Sequence, residues 1–316
     1  MKRTALFFLS LLILCLALSG QAAVLPEEKY TTCYPIIKGN AFDEHAPVPF
    51  SEAFKDDQPQ GELEIWFGRI SVCDGFIVRC NGESMLIDGG TFSHGAATKA
   101  LLEKLSITGV DYIFNTHHHD DHLEMQVYLM SHGFKAKEFL TPYPRGYNVA
   151  AQRKAEQAAD AAGIAYHVIK DGDEMRLGGE NGALVQFFRW TGVSEPNYNS
   201  VMCKITLGQR SVFLMADVIS FAQQSLVSER PDIPWKSDIL KAGHHGYTTQ
   251  DPTLMQWIDP EICIVTNSLL GGKATLDQMK RLSIPAFSTN QGAIYCHTDG
   301  GENWYYLQDK THLNKK

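Results

Sequence analysis

The stretch "NTHHHDDHLEM", Asn115–Met125, is the most informative part of this chain, because it places four histidines and two aspartates in six consecutive positions. Neutral imidazole and carboxylate groups are the side chains that bind zinc, iron and manganese ions in proteins. The stretch follows "DYIFNT", an apolar strand pattern, and continues into "DHLEMQVYLM", a helix pattern. Loops at strand ends are where a rigid scaffold presents ligands. The sequence therefore predicts a metal site after this strand.

The spacing within the stretch divides its ligands between two ions. His117 and His119 are two positions apart, so their rings point the same way in an extended segment. Asp121 and His122 follow at the turn into the helix, and this arrangement suits a second, neighbouring ion. The alternative is a solvated loop in which Asp121 only caps the helix. We favour the metal site, because a solvated loop does not account for this density of ligands.

The N-terminal residues have the pattern of an export signal. Lys2 and Arg3 precede "ALFFLSLLILCLAL", and "SGQAAV" then offers small residues at a cleavage site. The apolar run is shorter than the ~20 residues of a membrane-spanning helix. We predict a signal peptide over residues 1–23 and a secreted or extracytoplasmic protein without stable membrane insertion after cleavage. An uncleaved N-terminal anchor is the alternative.

The remaining chain divides into a leader and one domain. Residues 24–62 carry prolines and charges with little periodicity, which indicates an extended leader packed on the domain. From residue 63 to residue 316, short β-type runs alternate with helical patterns, and neither a repeat nor a linker interrupts them. With 316 residues, 44% of them hydrophobic, the chain can bury a large core. We therefore predict a single domain over residues 63–316.

Charge and cysteine content limit the partners and the compartment. The formal net charge is -8, and removal of Lys2 and Arg3 with the signal makes it more acidic. A nucleic-acid-binding protein needs lysine and arginine to neutralise phosphates, so we do not expect nucleic acid as a partner. Six cysteines follow the signal, and they either pair in an oxidising compartment or stay reduced and buried. These cysteines are Cys33, Cys73, Cys80, Cys203, Cys263 and Cys296.

Four motifs together resemble the metallo-β-lactamase fold superfamily. "HHHDDH" matches its His-x-His-x-Asp-His motif, and "MLIDGG" is similar to the strand and Asp-Gly turn before that motif. "VFLMAD" ends in Asp217, where the family has a carboxylate that bridges both metals. "DILKAGHHG" resembles the strand whose terminal histidine completes the second metal site; we assign His244, with His245 as the alternative. The resemblance covers about Leu63 to Leu307.

This resemblance implies a fold and a cofactor. The fold is an α+β four-layer αββα sandwich, with mixed sheets and with helices on the outer faces. The cofactor is a pair of divalent metal ions, zinc in the first place and iron or manganese as alternatives. Asp121 is expected to be a ligand and the catalytic carboxylate that orients the nucleophile, and Asp88 to hold a ligating histidine. The implied ligands are His117, His119, Asp121, His122, Asp217 and His244.

Within the superfamily, the chain is most similar to the hydrolase domain of DNA-uptake competence proteins and to phosphorylcholine esterases. "NYNSVMCKITLGQRSVFLMAD" and "LKAGHHG" carry this likeness. Two departures are notable. "ISVCDGFIV" keeps Asp74 but lacks the glycines of that branch. The superfamily also has a histidine between the first motif and the bridging aspartate, and here only His132 and His167 are available. We expect structural roles for both, which leaves the first metal an open position for catalysis.

The predicted function is an exported hydrolase that uses a metal-bridging hydroxide on phosphodiesters or related esters. The substrate is expected to be a small molecule or a headgroup-type ester. The aromatic runs "FFRW" and "NWYY" either surround such a headgroup or, as we favour, lie in the core. The alternatives are a lactonase or β-lactamase-like hydrolase of amides and esters, and a non-catalytic binding module that contains a metal.

Overall fold

The computed structural model describes residues 63–93, 95–302 and 304–308, together with two short strands nearer the N-terminus. The predicted signal peptide, residues 1–23, lies outside the described residues, as does most of the predicted leader, residues 24–62. Among the described residues, no helix combines the length and the apolar character that a membrane crossing requires.

The larger sheet contains ten strands. Their order across the sheet is β2-β1-β17-β16-β3-β4-β5-β6-β7-β8, and neighbouring strands from β5 to β8 are parallel while the others are antiparallel. The strands are β1 (Thr32–Pro35), β2 (Val48–Pro49), β3 (Leu63–Phe67), β4 (Gly75–Cys80), β5 (Glu83–Asp88), β6 (Tyr112–Phe114), β7 (Glu138–Thr141), β8 (Ala165–Val168), β16 (Ile294–Thr298) and β17 (Tyr305–Gln308).

The smaller sheet contains seven strands in the order β15-β14-β13-β12-β11-β10-β9. Strands β12 to β15 are parallel, and the remaining pairs are antiparallel. The strands are β9 (Glu174–Leu177), β10 (Ala183–Phe188), β11 (Met202–Leu207), β12 (Arg210–Leu214), β13 (Ile239–Lys241), β14 (Ile262–Val265) and β15 (Ala286–Ser288). Both sheets are therefore mixed, as predicted.

Helices cover the outer face of each sheet. Helices α1 (Ala96–Lys104), α2 (Asp120–Ser131) and α3 (Ala150–Ala162) pack on the larger sheet. Helices α4 (Ser220–Glu229), α5 (Pro252–Ile258) and α6 (Lys273–Arg281) pack on the smaller one. The inner faces of the two sheets share a third apolar cluster that includes Phe67, Val185 and Ile205. The predicted four-layer αββα sandwich is confirmed.

The central strands are buried along their whole length and are mostly apolar, because both of their faces are covered. Every residue of β3, β13 and β14 is buried, as expected for strands between a helix layer and another sheet. The same layering explains where "FFRW" and "NWYY" lie. Phe187, Phe188, Trp304 and Tyr306 are all buried in the core, in agreement with the interpretation that we favoured.

Several short elements had no clear pattern in the sequence. Strands β7, β9 and β15 have only three or four residues each, and tertiary pairing rather than local propensity selects such strands. Helix α4, "SFAQQSLVSE", is mostly polar and buries few residues, among them Ala222 and Leu226. A periodicity search therefore has little to detect in any of these four segments.

The five cysteines within the described core are buried and reduced. They are Cys73, Cys80, Cys203, Cys263 and Cys296. Burial raises the pKa of the Cys73 and Cys263 thiols to about 12, so the thiols stay protonated and pack as small apolar groups. Of the two alternatives for the cysteines, the structure shows the reduced one at these five positions.

Buried His297 in β16 makes the stability of the fold depend on pH. Burial lowers the pKa of His297 from 6.5 to about 4. Because the folded pKa is below the unfolded one, the unfolded chain gains the proton first, and stability falls as the pH drops through this window. We expect the free energy of unfolding to fall by about 2 to 3 kcal/mol more between pH 7 and pH 4.5 in the wild type than in His297→Leu.

Urea denaturation at the two pH values measures this difference. His167→Leu is the matched control, because the side chain of His167 is 59% exposed, and it should keep the wild-type pH dependence. An identical pH dependence in wild type and His297→Leu would contradict the prediction.

Candidate metal centre

The ends of the parallel strands of both sheets meet at one edge of the sandwich. Asp88 ends β5, and residues 115–122 follow β6 in the larger sheet. Asp217 follows β12, and the turn Gly243–Gly246 follows β13 in the smaller sheet. Because parallel strands end at the same edge, these four segments converge. We call this edge of the sandwich the site edge.

The "DGG" turn after β5 brings the backbone close to helix α2. A Cβ atom on Gly89 would lie 3.1 Å from the backbone nitrogen of Gln126, and Gly90 has a φ of +82°. The Gly89 amide donates to the carbonyl oxygen of His122 over 2.8 Å. The two glycines therefore allow the start of α2, with its histidine, to lie directly against Asp88.

Asp217 lies at the centre of the converging residues, and four imidazoles face a single oxygen of its carboxylate. Its Oδ2 atom is 3.2 Å from the Nε2 atom of His122 and 3.4 Å from that of His245. The Nε2 atoms of His117 and His244 are each 4.0 Å from the same oxygen. Asp217 is 1% exposed, so the carboxylate interacts with these rings rather than with bulk water.

Asp121 contacts one side of this cluster. Its Oδ2 atom is 3.2 Å from His245 Nε2, and its Oδ1 atom is 4.0 Å from His122 Nε2. The N-cap residue of α2 is His119, and Asp121 lies within the first turn. The carboxylate of Asp121 is therefore directed at the histidines and is not the helix cap that the sequence left as an alternative.

His117 lies beside the same carboxylate, and His119 lies next to His117. Their ring centroids are 4.7 Å apart, and that of His117 is 4.1 Å from that of His122. Burial, with the neighbouring His122, holds the pKa of His117 well below its usual value. His117 is therefore neutral near pH 7, which is the state that binds metal ions.

The adjacent residues His244 and His245 differ in their surroundings. Both have positive φ, 48° and 54°, a left-handed conformation that costs about 1–3 kcal/mol per non-glycine residue. His245 is fully buried between Asp121 and Asp217, whereas the side chain of His244 is 30% exposed and its Nε2 atom lies 3.4 Å from the Asn197 amide. The position that we assigned to His244, beside Asp121 and His122, is occupied by its alternative, His245.

Two further carboxylates hold the rings of His122 and His245 from behind. Asp88 Oδ2 is 2.7 Å from His122 Nδ1, and it also accepts a hydrogen bond from the Thr116 hydroxyl. Asp74 Oδ1 is 3.1 Å from His245 Nδ1 and accepts a hydrogen bond from Thr266. Such contacts fix the orientation of each ring, so that its Nε2 atom faces Asp217.

Lys241 supplies a positive charge behind the cluster. Its side chain is fully buried and forms an ion pair with Asp74. The ammonium group also donates to the carbonyl oxygen of Ala216 over 2.8 Å and lies 3.9 Å from Asp217 Oδ1. Burial raises the pKa of Asp74, but Lys241 and His245 outweigh this effect and lower it well below its usual value. Asp74 therefore stays ionised.

The cluster as a whole attracts positive charge. Burial would lower the pKa of His122 and His245, but the carboxylate of Asp217, with Asp88 or Asp74, outweighs it and raises both values well above normal. A divalent cation at the same place would supply this positive charge, and its binding would displace protons from the histidines.

Unpaired atoms test whether these residues fit a metal ion. The Nε2 atom of His117 and the Oδ1 atom of Asp217 are buried without a hydrogen bond. Buried polar atoms in folded proteins are nearly always paired, so these two indicate a missing partner. Asp74, His122, Asp217 and His245 offer ligand atoms within 4.8 Å of one another. Since Asp74 already contacts Lys241 and Thr266, we regard Asp121 as the better fourth ligand beside the other three.

The other histidines considered from the sequence lie outside the cluster. His132 bonds through Nδ1 to the carbonyl oxygen of Tyr128 and stacks on its ring. His167 faces Glu138 at the surface, and His118 packs against Tyr143 with ring centroids 5.1 Å apart.

Sequence reasoning missed Lys241 and the role of Asp74. A lysine between apolar residues, in "ILKA", was the available signal for Lys241.

Asp74 and Asp88 provide a direct test of how the histidine rings are held. We expect Asp88→Asn and Asp74→Asn each to weaken metal binding about 10- to 100-fold, because the amide no longer fixes the histidine tautomer. Competition with a chromophoric chelator measures the affinity. Asp277→Asn, an exposed position paired with Lys273, is the control and should bind metal like the wild type. Unchanged affinity in both site variants would contradict this account.

The described chain resembles known proteins in sequence over a limited segment and in fold over most of its length. The Metallo-beta-lactamase superfamily profile matches residues 69–124, which include "MLIDGG" and "HHHDDH". Among curated proteins, none matches.

Solved structures resemble the chain at low sequence identity. The CmlA beta-hydroxylase E377D mutant is 14% identical over 80% of this chain and 55% of its own, with a TM-score of 0.51. This chain thus spans little more than half of that protein. A metallo-beta-lactamase with a HARLDQ motif from Cronobacter sakazakii (Enterobacter sakazakii) is 16% identical, over 56% of this chain and 76% of its own, with a TM-score of 0.38. A diphosphatase from the PhnP family is 11% identical over 64% of this chain and 85% of its own, with a TM-score of 0.38. The sequence match to the Metallo-beta-lactamase superfamily is therefore limited to residues 69–124, and the likeness to the solved structures is one of fold.

Proposed function

We propose that the protein is a metal-dependent hydrolase of phosphodiesters or related esters that uses two neighbouring divalent cations. One observation carries the proposal: four imidazole Nε2 atoms lie within 4.0 Å of a single buried oxygen of Asp217. A buried carboxylate oxygen that faces four imidazoles has the position that a ligand shared by two metal ions would have. Zinc is the first candidate for the metal, with iron and manganese as alternatives.

The ligands divide into two sets around Asp217. We assign His117 and His119 to the first cation, and Asp121, His122 and His245 to the second, with Asp217 shared. His244 is on the more exposed side of Asp217, next to the position that the sequence left open at the first cation. Bound divalent cations lower the pKa of a water ligand towards neutrality and polarise a phosphoryl or acyl oxygen.

The residues of this chain then perform the remaining tasks. Asp121 is the partly exposed carboxylate of the cluster, 28% exposed, so it can accept a hydrogen bond from the attacking water and orient it. In a phosphodiester, the water oxygen forms a bond to phosphorus, and the bond from phosphorus to the leaving alcohol breaks. Asp88 and Asp74 keep the rings of His122 and His245 fixed throughout.

Charges at the site edge favour a small substrate over a nucleic acid. Arg145 pairs with Asp160 and Glu156, and Lys273 pairs with Asp277. Arg189 donates to the carbonyl oxygen of Asn199 over 2.8 Å. Cations that already form ion pairs or hydrogen bonds within the protein contribute little to the binding of a long phosphate backbone. Contacts with that backbone dominate the affinity of proteins for nucleic acids. The acidic net charge of -8 also disfavours the binding of a nucleic acid.

A substrate comparison tests the proposed activity. We expect the metal-loaded protein to hydrolyse bis-p-nitrophenyl phosphate faster than a lactone or a cephalosporin. His119→Ala should reduce this rate by at least about 100-fold, because it removes a ligand from the first cation. His132→Ala, a histidine outside the cluster, is the matched control and should retain the activity. Preferred turnover of the lactone or the cephalosporin would replace the phosphodiesterase assignment with the alternative one.

Metal analysis separates an enzyme from a binding module. We expect about two ions per chain, a clear loss in His245→Ala, and a smaller loss in His244→Ala because of its greater exposure. Mass spectrometry of the purified proteins measures the metal content. A fully loaded protein that hydrolyses none of the three substrates would indicate a non-catalytic module, and equal retention in all variants would contradict the ligand assignment.

A further inference from the structure

Exposed apolar side chains are concentrated at the site edge. The described residues include nine large hydrophobic side chains that are exposed. Seven of them lie in loops or helix starts at this edge, and the other two, Trp257 and Leu282, precede β14 and β15 at the opposite edge. Six of the seven define what we call the apolar rim: Phe92, Tyr147, Phe221, Tyr247, Leu269 and Leu270.

Ring contacts connect the apolar rim to the histidine cluster. The ring centroid of Tyr247 is 5.5 Å from that of His244. On the other side, the centroid of Tyr147 is 6.1 Å from that of His118, which lies outside the cluster but has its ring centroid 5.6 Å from that of His119. Phe221 is the second residue of α4, four positions after Asp217, and packs on Tyr198 at 5.7 Å. The rim therefore adjoins the histidine-rich loops at Tyr247 and Tyr147.

Leu269 and Leu270 are the most informative part of the rim. They lie in the loop that follows β14, next to the turn of His244 and His245 after β13. Leu270 is 84% exposed and Leu269 is 52% exposed. Adjacent exposed leucines lose the free energy that burial of their side chains would give, and grouped exposure of this kind marks a binding surface.

We propose that the apolar rim binds a hydrophobic group of the substrate, so that the ester hydrolysed at the metal centre is amphiphilic. This inference rests on the proposed function. The anionic ester lies at the histidine cluster, and an alkyl or aryl group on its non-leaving side extends over Phe221, Leu269 and Leu270. The rim then adds apolar contacts to the polar contacts that the substrate makes at the histidine cluster.

Two phosphodiesters with the same leaving group test the inference. Methyl p-nitrophenyl phosphate and hexyl p-nitrophenyl phosphate have the same charge and the same scissile bond, and they differ by five methylene groups. We expect kcat/KM to be at least about tenfold higher for the hexyl ester, chiefly through KM, because burial of two methylene groups is sufficient for that factor. Release of p-nitrophenolate measures both rates.

A double variant in the rim and a matched control variant show which part of the protein recognises the hexyl group. In the double variant Leu269→Ser/Leu270→Ser, the hexyl-to-methyl ratio of kcat/KM should fall at least threefold towards one. The matched control is Trp257→Ser/Leu282→Ser, which removes two exposed apolar side chains from the opposite edge and should keep the wild-type ratio. All four positions are exposed, and thermal unfolding verifies that both variants fold. A wild-type ratio near one, or a ratio unaffected in the rim variant, would overturn the inference.

A binding experiment distinguishes failure of this inference from failure of the proposed function. If neither ester is hydrolysed, the phosphodiesterase assignment fails, and the rim is then tested by calorimetric titration of the metal-loaded protein. Hexyl methyl phosphate should bind at least about tenfold more tightly than dimethyl phosphate, with the difference reduced in Leu269→Ser/Leu270→Ser. Equal affinity for the two ligands would reject the apolar rim as a substrate-binding surface.

Discussion

The structure at the site edge depends on the burial of the Asp217 carboxylate between the two sheets. A buried carboxylate requires positive charge or several hydrogen-bond donors close to it. For Asp217, the nearby groups are histidines in the turn after β13 and in the loop after β6. The position of Asp217 therefore links the two sheets of the sandwich. The left-handed backbone of His244 and His245 is one cost of this arrangement. The ammonium group of Lys241, which is paired with Asp74, lies 3.9 Å from the other carboxylate oxygen of Asp217.

The αββα architecture provides this arrangement through strand direction. Both sheets contain parallel strands that end at the same edge, so loops from distant parts of the sequence meet there. His122 and Asp217 are far apart in the chain, yet their side chains are 3.2 Å apart. Helix α2 begins inside the site and packs on the larger sheet through Leu123 and Leu129. Core packing therefore fixes the position of the start of α2, and the contact with Asp88 orients the ring of His122.

The family resemblance predicted the layers, whereas local patterns predicted the central strands and the histidine-rich loop after β6. The apolar runs that became the central strands, and the histidines after β6, were visible without tertiary information. The choice between His244 and His245 was not predictable, because it depends on two successive left-handed residues that direct the rings differently. Asp74 is 171 positions from His245, and only the folded chain shows that the two side chains touch. Short edge strands such as β9 were missed for the same reason.

The polar centre of the site and the apolar loops around it together indicate which type of substrate fits. The polar centre of the site consists of imidazoles and carboxylates, while the surrounding loops present leucine and aromatic side chains. Such a combination suits a substrate with one charged, reactive group and one apolar group, and it does not suit a long polyanion. The acidic charge of the chain adds repulsion against polyanions. We therefore regard a small amphiphilic ester as the substrate type that agrees best with both parts of the site.

The central claim is that Asp217 is shared by two cations held from opposite sides. Anomalous diffraction from a crystal of the metal-loaded protein, recorded at the absorption edge of the metal, tests this claim most directly. The account predicts two peaks about 3.5–4 Å apart, one beside His117 and His119 and the other beside His122 and His245, with the Asp217 carboxylate between them. A single peak, or two peaks that do not share Asp217, would contradict it.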